Sequence, residues 1–192
     1  MPASVSVDRS DALDRAVEAL RAGGAIVLPT DTVYGLAALP PFVDRLYALK
    51  GRPASVPIAV LVASIEQARS VVAVTPAAQR LATAFWPGPL TIVLQREAGD
   101  TLGVRCPAHD FVRELARRAG ALAVTSANRH GDATPITAAA AAAALAGDVA
   151  LVIDGGECAG VASTVVDLTG SSLEIVRIGP ISQEEIRSVA LR

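Results

Sequence analysis

Lysine is almost absent from this 192-residue chain, although basic residues are plentiful. Lys50 is the only one of the 17 basic residues that is not arginine. It stands in Lys50-Gly51-Arg52-Pro53, between a predicted helix and a predicted strand. Lysine is a compact ammonium that can turn onto one oxygen, whereas arginine is a planar fork. A lone lysine beside Arg52 is typical of an anion site. Considered by itself, it is equally typical of a solvated turn in which one lysine happens to remain.

Cysteine, histidine and aromatic residues are also scarce. Cys106 and Cys158 form no CxxC pair, which favours reduced thiols in a cytoplasmic protein. A disulfide between the two is the alternative. His109 and His130 are far apart and lack ligand spacing, which argues against a zinc site. Aromatic residues make up only 3% of the chain, which leaves few side chains for stacking on RNA bases.

Long apolar runs and a strong net charge are missing as well. The run at 138–146 is about half as long as a membrane span needs, and its alanines predict a packing helix between Thr137 and Gly147. The first residues include Asp8 and Arg9 and show no signal-peptide pattern. The net charge of −2 argues against a protein that coats nucleic acid, although a local basic patch is still allowed.

The chain does contain alternating helical and strand patterns, with some strands following each other directly. Strands are predicted at 25–29, 58–62, 90–95, 102–106, 121–125, 149–153, 163–168 and 173–178, with a further apolar segment at 33–38. Helices are predicted at 10–22, 41–49, 64–72, 75–85, 109–118 and 138–146, and a last one begins at Ser182. This order predicts an α/β fold, with a twisted mixed β-sheet flanked by helices. The length and the 52% hydrophobic content fit a single domain over 1–192, with its core at about 10–190.

Polar residues gather where several predicted strands begin or end. They are Thr30-Asp31-Thr32, Lys50-Gly51-Arg52, Arg105, Thr125-Ser126-Ala127-Asn128, Ser163-Thr164 and Arg177. Because ligands of open α/β sheets bind beyond strand ends, these segments could share one crevice. Its cations, hydroxyls and amide would suit a polyanion such as a triphosphate together with a small polar molecule. Taken singly, each hydroxyl is better explained by a turn or a cap, and each arginine by a solvent-facing position.

Other devices for nucleotides and acyl groups are absent from the sequence. There is no GxxxxGK[ST] segment and no GxGxxG after a strand, which argues against a P-loop or a dinucleotide fold. There is also no GxSxG segment, so an acyl-serine enzyme is not indicated.

Seven segments, met in order from about residue 10 to the C-terminus, resemble those of the YrdC-like threonylcarbamoyl-AMP synthase family. They are Pro29-Thr30-Asp31-Thr32-Val33-Tyr34-Gly35-Leu36, Lys50-Gly51-Arg52-Pro53, Phe85-Trp86-Pro87-Gly88-Pro89-Leu90-Thr91, Val104-Arg105-Cys106-Pro107, Ser126-Ala127-Asn128, Ser163-Thr164-Val165-Val166-Asp167 and Val176-Arg177-Ile178-Gly179. Any one segment is weak, whereas the ordered set is specific. The chain is similar to the short, single-domain form of the family, without the extra C-terminal domain of longer relatives.

The resemblance implies a YrdC-like fold with an open concave cavity, and an enzyme that makes threonylcarbamoyl-AMP and pyrophosphate from L-threonine, bicarbonate and ATP. Mg²⁺ would come with the ATP and not from a protein metal site. The product would serve tRNA modification, with tRNA and the proteins of the threonylcarbamoyl-transferase complex as possible partners. By resemblance, the ATP-binding residues are Lys50, Arg52, Thr101, Ser126, Asn128, Thr134 and Arg177, with Lys50 and Arg52 also catalytic. The threonine-binding residues would be Thr32, Arg105 and Ser163.

The chain departs from the family pattern after Pro53. Family members commonly carry Asn-Pro-Leu-x-x-His there, and this chain has Val56 and Leu61 in place of the asparagine and the histidine. The asparagine would be expected near ATP and the histidine near threonine. Losing such polar contacts costs about 1–3 kcal/mol each where their partners stay buried and unpaired.

This departure keeps two other functions open. One is a non-catalytic module that binds RNA or nucleotide in the same crevice. The other is carbamoyl transfer to a different acceptor, although larger relatives of that kind add zinc-finger parts and no CxxC pair is present here.

Overall fold

One ten-stranded sheet forms the centre of the computed structural model, which describes residues 2–129, 131–147 and 149–190. His130, one of the two histidines considered above, lies outside the described residues. The strands are β1 (Ser4–Ser6), β2 (Ile26–Leu28), β3 (Gly35–Ala38), β4 (Ala59–Leu61), β5 (Leu90–Gln95), β6 (Thr101–Arg105), β7 (Leu122–Ser126), β8 (Leu151–Asp154), β9 (Thr164–Asp167) and β10 (Glu174–Arg177). The helices are α1 (Ala12–Arg21), α2 (Asp44–Lys50), α3 (Ile65–Arg69), α4 (Pro76–Phe85), α5 (Asp110–Ala119), α6 (Ala138–Ala143) and α7 (Gln183–Ala190), and a 3-10 turn spans Pro40–Phe42.

The sheet is mixed, which confirms the predicted fold class. Its strand order is β1-β8-β2-β3-β7-β4-β6-β5-β9-β10. The pairs β1/β8, β2/β8, β4/β6 and β5/β9 are parallel, and the other neighbouring pairs are antiparallel. Strand β1 was not predicted, because three residues with one buried side chain are too short to show a period.

Capping side chains begin several of the predicted helices. Thr75 accepts from the N–H of Ala78, and Thr137 accepts from the N–H of Ala140. Ser182 and Glu185 form the predicted reciprocal box, with each side chain accepting from the other's backbone N–H.

The alanine helix is shorter than predicted. It ends at Ala143 and not at residue 146, because the N–H of Ala146 donates to the carbonyl of Leu49 across the fold. This contact replaces an intrahelical bond, and Gly147 then adopts a positive φ of 106°.

Helices cover the two faces of the sheet unequally. On one face, Leu28, Leu61 and Leu122 pack in a core with α1 and α5. On the opposite face, α2 and α6 form a second core over β2 and β3, while α4 and α7 form a third over β5 and β6. Because α1 and α5 pack against one end of the sheet, the first face is left open over β4, β6, β5 and β9. Within the described ranges, no helix combines the length and the apolar character needed to cross a bilayer.

Candidate functional site

A cavity of about 520 Å³ occupies the open part of this first face. Alternate residues of β6, namely Thr101, Gly103 and Arg105, all line it. Side chains two residues apart on a strand point to the same face, so the cavity lies over the face of the sheet. The polar segments at the strand ends do come together, as predicted. They surround this face of the sheet, and do not lie only beyond the ends of its strands.

Small residues on the floor make room for the cavity. Gly103 lies between Ala59 of β4 and Thr91 of β5, and a Cβ at position 103 would lie 3.3 Å from a side-chain carbon of each. A larger side chain at this position would therefore fill the floor.

Eight of the ten predicted site residues line this one cavity. They are Thr32, Arg52, Thr101, Arg105, Ser126, Thr134, Ser163 and Arg177. Lys50 and Asn128 are buried beside the cavity wall instead, at the corner that follows β7.

The Lys50 ammonium is enclosed by that corner. Lys50 is 2% exposed, and its Nζ donates to the carbonyls of Ser126 and Asn128 at 2.5 Å each and to Asn128 Oδ1 at 3.2 Å. The Asn128 amide nitrogen in turn donates to the carbonyls of Arg129 and Asp132. An ammonium has three donors, so all of them are satisfied by protein oxygens. Burial, together with the charge of Arg52, lowers the pKa of Lys50 to about 8.

Arg52 reaches the cavity from the loop after α2. Its Nη1 donates to Thr125 Oγ1 and its Nη2 to the Pro57 carbonyl, both at 2.9 Å. Within the described ranges, its Nε is buried without a hydrogen-bond partner. Burial lowers the pKa of Arg52, but a guanidinium keeps its charge at physiological pH.

Arg105, at the end of β6, is held from three sides. Its Nε donates to the Gly88 carbonyl at 3.0 Å, its Nη1 to Thr32 Oγ1 at 2.8 Å, and its Nη2 to the carboxylate of Asp31. Burial lowers the pKa of Arg105 and Asp31 raises it. Thr30 fixes the turn that brings both partners here, because its Oγ1 accepts from the N–H of Thr32 and donates to the carbonyl of Val33.

Arg177 and Ser163 form a second polar group on the wall. Arg177 Nε donates to the Ser163 carbonyl at 3.0 Å, and its Nη2 lies 3.2 Å from Ser163 Oγ. That hydroxyl also contacts Thr91 Oγ1 at 2.8 Å. Gly179 allows this packing, since a Cβ there would lie within 2.6 Å of three backbone atoms of residues 162–164.

Three contact residues were missing from the predicted set, namely Asp31, Thr91 and Thr125. Each lies in a segment already singled out, because Asp31 and Thr91 are inside family motifs and Thr125 precedes the Ser126 corner. Position within a motif was therefore an available signal, although the contacts themselves depend on the tertiary fold.

The two departures from the family pattern lie in different places. Leu61 lines the cavity and pairs in register with Arg105 on the neighbouring strand. Val56 does not line the cavity, and its backbone accepts from the hydroxyl of Tyr47. Only the leucine therefore changes the chemistry of the cavity wall.

A larger groove, about 1030 Å³, lies on the opposite face of the same strands. Val60 and Leu102 line it, whereas their neighbours Leu61 and Gly103 line the first cavity. None of the ten predicted site residues lines this groove.

The side chains that line the first cavity define a class of protein. Three arginines, several hydroxyls and a small-residue floor line the first cavity, and among the described residues no cysteine or histidine does. Such a site suits binding and alignment of a phosphate-containing molecule beside a small polar one. The fold and the site are therefore those of an α/β protein with an arginine-lined cavity on a mixed sheet.

Comparison with known proteins supplies the family. Residues 18–179 match the Sua5/YciO/YrdC family, which has the description Telomere recombination. The chain belongs to this family.

Similar proteins include both short and long chains. A Mycobacterium tuberculosis protein is 40% identical over an alignment of 195 positions, which covers 94% of this chain and 90% of the relative. A threonylcarbamoyl-AMP synthase from Pyrococcus abyssi is 39% identical, over 88% of this chain and 54% of the relative. The crystal structure of P. abyssi Sua5 complexed with L-threonine superposes with a TM-score of 0.90 at 36% identity, covering 98% of this chain and 60% of that one. This chain therefore spans little more than half of the P. abyssi synthase.

Proposed function

We propose that this protein is a threonylcarbamoyl-AMP synthase, which joins L-threonine, bicarbonate and ATP and releases pyrophosphate. The observation that carries the proposal is the meeting of eight predicted site residues in one cavity. The P. abyssi relative of the same name, and its structure with L-threonine, support it.

Arg105, Thr32 and Ser163 would hold the amino acid. Among the described residues, Arg105 has one partner on each of its three nitrogens, so each terminal nitrogen keeps one free N–H. Two such donors match the two oxygens of a carboxylate. The hydroxyls of Thr32 and Ser163 line the same cavity and would orient the rest of the molecule.

Arg52 and Arg177 would neutralise the triphosphate, with Thr101, Ser126 and Thr134 as hydroxyl contacts along the wall. Mg²⁺ would enter as part of the Mg-ATP substrate, held by phosphate oxygens. Lys50 and Asn128 support the site by fixing the corner after β7. Their direct contact with ATP stays a prediction, because the Lys50 ammonium would have to leave a carbonyl to make it.

The chemistry needs alignment more than a protein nucleophile. The amine of threonine combines with bicarbonate to give a carbamate and water. A carbamate oxygen then attacks the α-phosphorus, the bond to the bridging oxygen of the β-phosphate breaks, and pyrophosphate leaves. Such a step depends on positioning and on neutralising the charge that develops on phosphate oxygens, which is what fixed arginines provide.

The product would then be passed to tRNA by partner proteins of a threonylcarbamoyl-transferase complex. The protein would act in the cytoplasm, where ATP and tRNA are available. The missing polar side chain at Leu61 is the one observation that favours a non-catalytic binding module instead.

Threonine-dependent release of pyrophosphate from Mg-ATP and bicarbonate tests the proposal. We expect release with wild-type protein, a loss of at least about tenfold with Arg105→Gln, and no change with Arg96→Gln. Arg96 is a matched control, because it too pairs with an aspartate, Asp100, but lies on an exposed hairpin. ATP binding without threonine-dependent release, under conditions where a relative is active, would favour the binding module and contradict the synthase.

A further inference from the structure

The three arginines that line the cavity differ in their partners. Arg52 donates to a hydroxyl and a carbonyl, and Arg177 donates to the carbonyl and hydroxyl of Ser163. Arg105 alone among the three has a carboxylate partner within the described ranges, which is Asp31. A second carboxylate, that of Asp167, lines the cavity, but it accepts from Thr169 and pairs with none of the three arginines. Arg105 is therefore the one arginine of the three that is held in an ion pair.

The Arg105–Asp31 pair is shielded from solvent. The side chains are 8% and 14% exposed, so water and salt screen their interaction only weakly. Asp31 binds Arg105 without lining the cavity itself. The cavity wall thus presents the N–H donors of Arg105 with little of its net charge.

We propose that Asp31 is a selectivity residue, which neutralises Arg105 so that phosphate groups do not occupy the amino-acid end of the cavity. The inference rests on the proposed function, in which a triphosphate and an amino acid share one space. A phosphate anion gains most from net positive charge, which Arg52 and Arg177 supply. An amino acid carries a carboxylate and an ammonium and has no net charge, so directed N–H donors on a neutral pair suit it.

The Asp31→Asn variant tests whether Asp31 acts on Arg105 through its negative charge or only by orienting the guanidinium. Asparagine keeps the shape and a side-chain oxygen that can accept from Arg105 Nη2, but it removes the negative charge. If Asp31 only orients Arg105, this variant should bind phosphates as the wild type does. If Asp31 neutralises Arg105, the variant should bind phosphates more tightly at the amino-acid end.

Calorimetric titration with inorganic pyrophosphate at fixed ionic strength decides between these roles. We expect Asp31→Asn to bind pyrophosphate about tenfold more tightly than the wild type, because one uncompensated cation is added to a shielded cavity. Saturating L-threonine should weaken pyrophosphate binding by Asp31→Asn and leave that of the wild type unchanged. Asp14→Asn is the matched control, since it removes the same charge from an exposed pair with Arg118 and should have no effect.

The double variant Asp31→Asn/Arg105→Gln replaces one neutral pair by another and leaves no buried charge unpaired. We expect it to bind pyrophosphate with the wild-type affinity, and weaker binding would show that phosphates already use the charge of Arg105. Equal pyrophosphate affinities for Asp31→Asn and the wild type, or an equal gain in Asp14→Asn, would also overturn the proposal. Failure of the proposed function would look different, because pyrophosphate binding would still change with Asp31 while threonine affected no variant.

Discussion

At the scale of single residues, the structure excludes one of the two interpretations of the lone lysine. Lys50 is 2% exposed and its ammonium is enclosed by three oxygens, so it is not a lysine left over on a solvated turn. Its part in an anion site stays a prediction, and the structure puts it at the Ser126–Asn128 corner. The enclosure by carbonyls could not be predicted, because backbone oxygens belong to every residue and only the fold brings these to Lys50.

Lys50→Arg tests whether the corner requires an ammonium. A guanidinium is larger and planar, so forcing it into this enclosure should cost about 1–3 kcal/mol of unfolding free energy. The displaced corner should also lower pyrophosphate release by at least about tenfold. Urea unfolding and a turnover assay measure both effects. Arg45→Lys on the exposed side of α2 serves as the control, and a Lys50→Arg protein equal to wild type in both assays would contradict the enclosure.

The same enclosure predicts a pH dependence of stability. The folded protein releases the Lys50 proton near pH 8, whereas the unfolded chain keeps it up to its ordinary pKa of 10.5. Between these values the unfolded state binds more protons, so the contribution of Lys50 to the unfolding free energy rises with pH. We expect the free-energy difference between wild type and Lys50→Met to shift in favour of the wild type by up to about 1 kcal/mol per pH unit in this window. Urea unfolding at pH 7 and pH 9.5 measures it, and a difference that falls with rising pH would contradict the assignment.

At the scale of secondary-structure elements, the sequence pattern located most strands but missed the edge strand β1. Strands β2 and β5 lie within their predicted ranges because their buried residues are mostly apolar in runs, and the other edge strand, β10, also lies within its predicted range. Strand β1 depends on pairing with β8 at the far end of the chain, which no local pattern shows. The end of α6 depends likewise on a distant carbonyl, that of Leu49.

Strand β6 offers a test of the cavity floor. Gly103→Val should abolish or weaken ATP binding by at least about tenfold, because the new side chain enters the cavity between Ala59 and Thr91. Valine suits a strand, so the fold should persist. Calorimetric titration with ATP and circular dichroism check both points. Leu102→Ile, on the opposite face of the same strand, should leave ATP binding unchanged, and unchanged ATP binding by Gly103→Val would place the nucleotide elsewhere.

At the scale of the whole molecule, the cavity joins parts of the chain that are far apart in sequence. Thr32, Arg105 and Ser163 come from different thirds of the chain and line one cavity. The sequence predicted that such segments meet, since they precede or follow strands of one sheet. It could not predict that they meet over the sheet face, because this depends on which part of the face α1 and α5 leave uncovered.

Ligands that bind across such a cavity should stabilise the protein together. We expect Mg-ATP and L-threonine added jointly to raise the melting temperature by more than the sum of their separate effects, because each would complete the site for the other. Differential scanning fluorimetry measures the shifts. Glycine in place of threonine is the control ligand, and strictly additive shifts would argue against a shared cavity.

The enclosure of Lys50 has a chemical consequence for an enzyme of this kind. An acyl adenylate is a mixed anhydride, and it is readily attacked by an amine with a free lone pair. The lowered pKa of about 8 leaves more of the Lys50 amine unprotonated at neutral pH than in an ordinary lysine, so its charge alone does not prevent such an attack. Its enclosure does, because the side chain is 2% exposed and its N–H groups point at three protein oxygens. Burial thus separates the only lysine of the chain from an anhydride formed in the neighbouring cavity, and would limit modification of the protein by the proposed product.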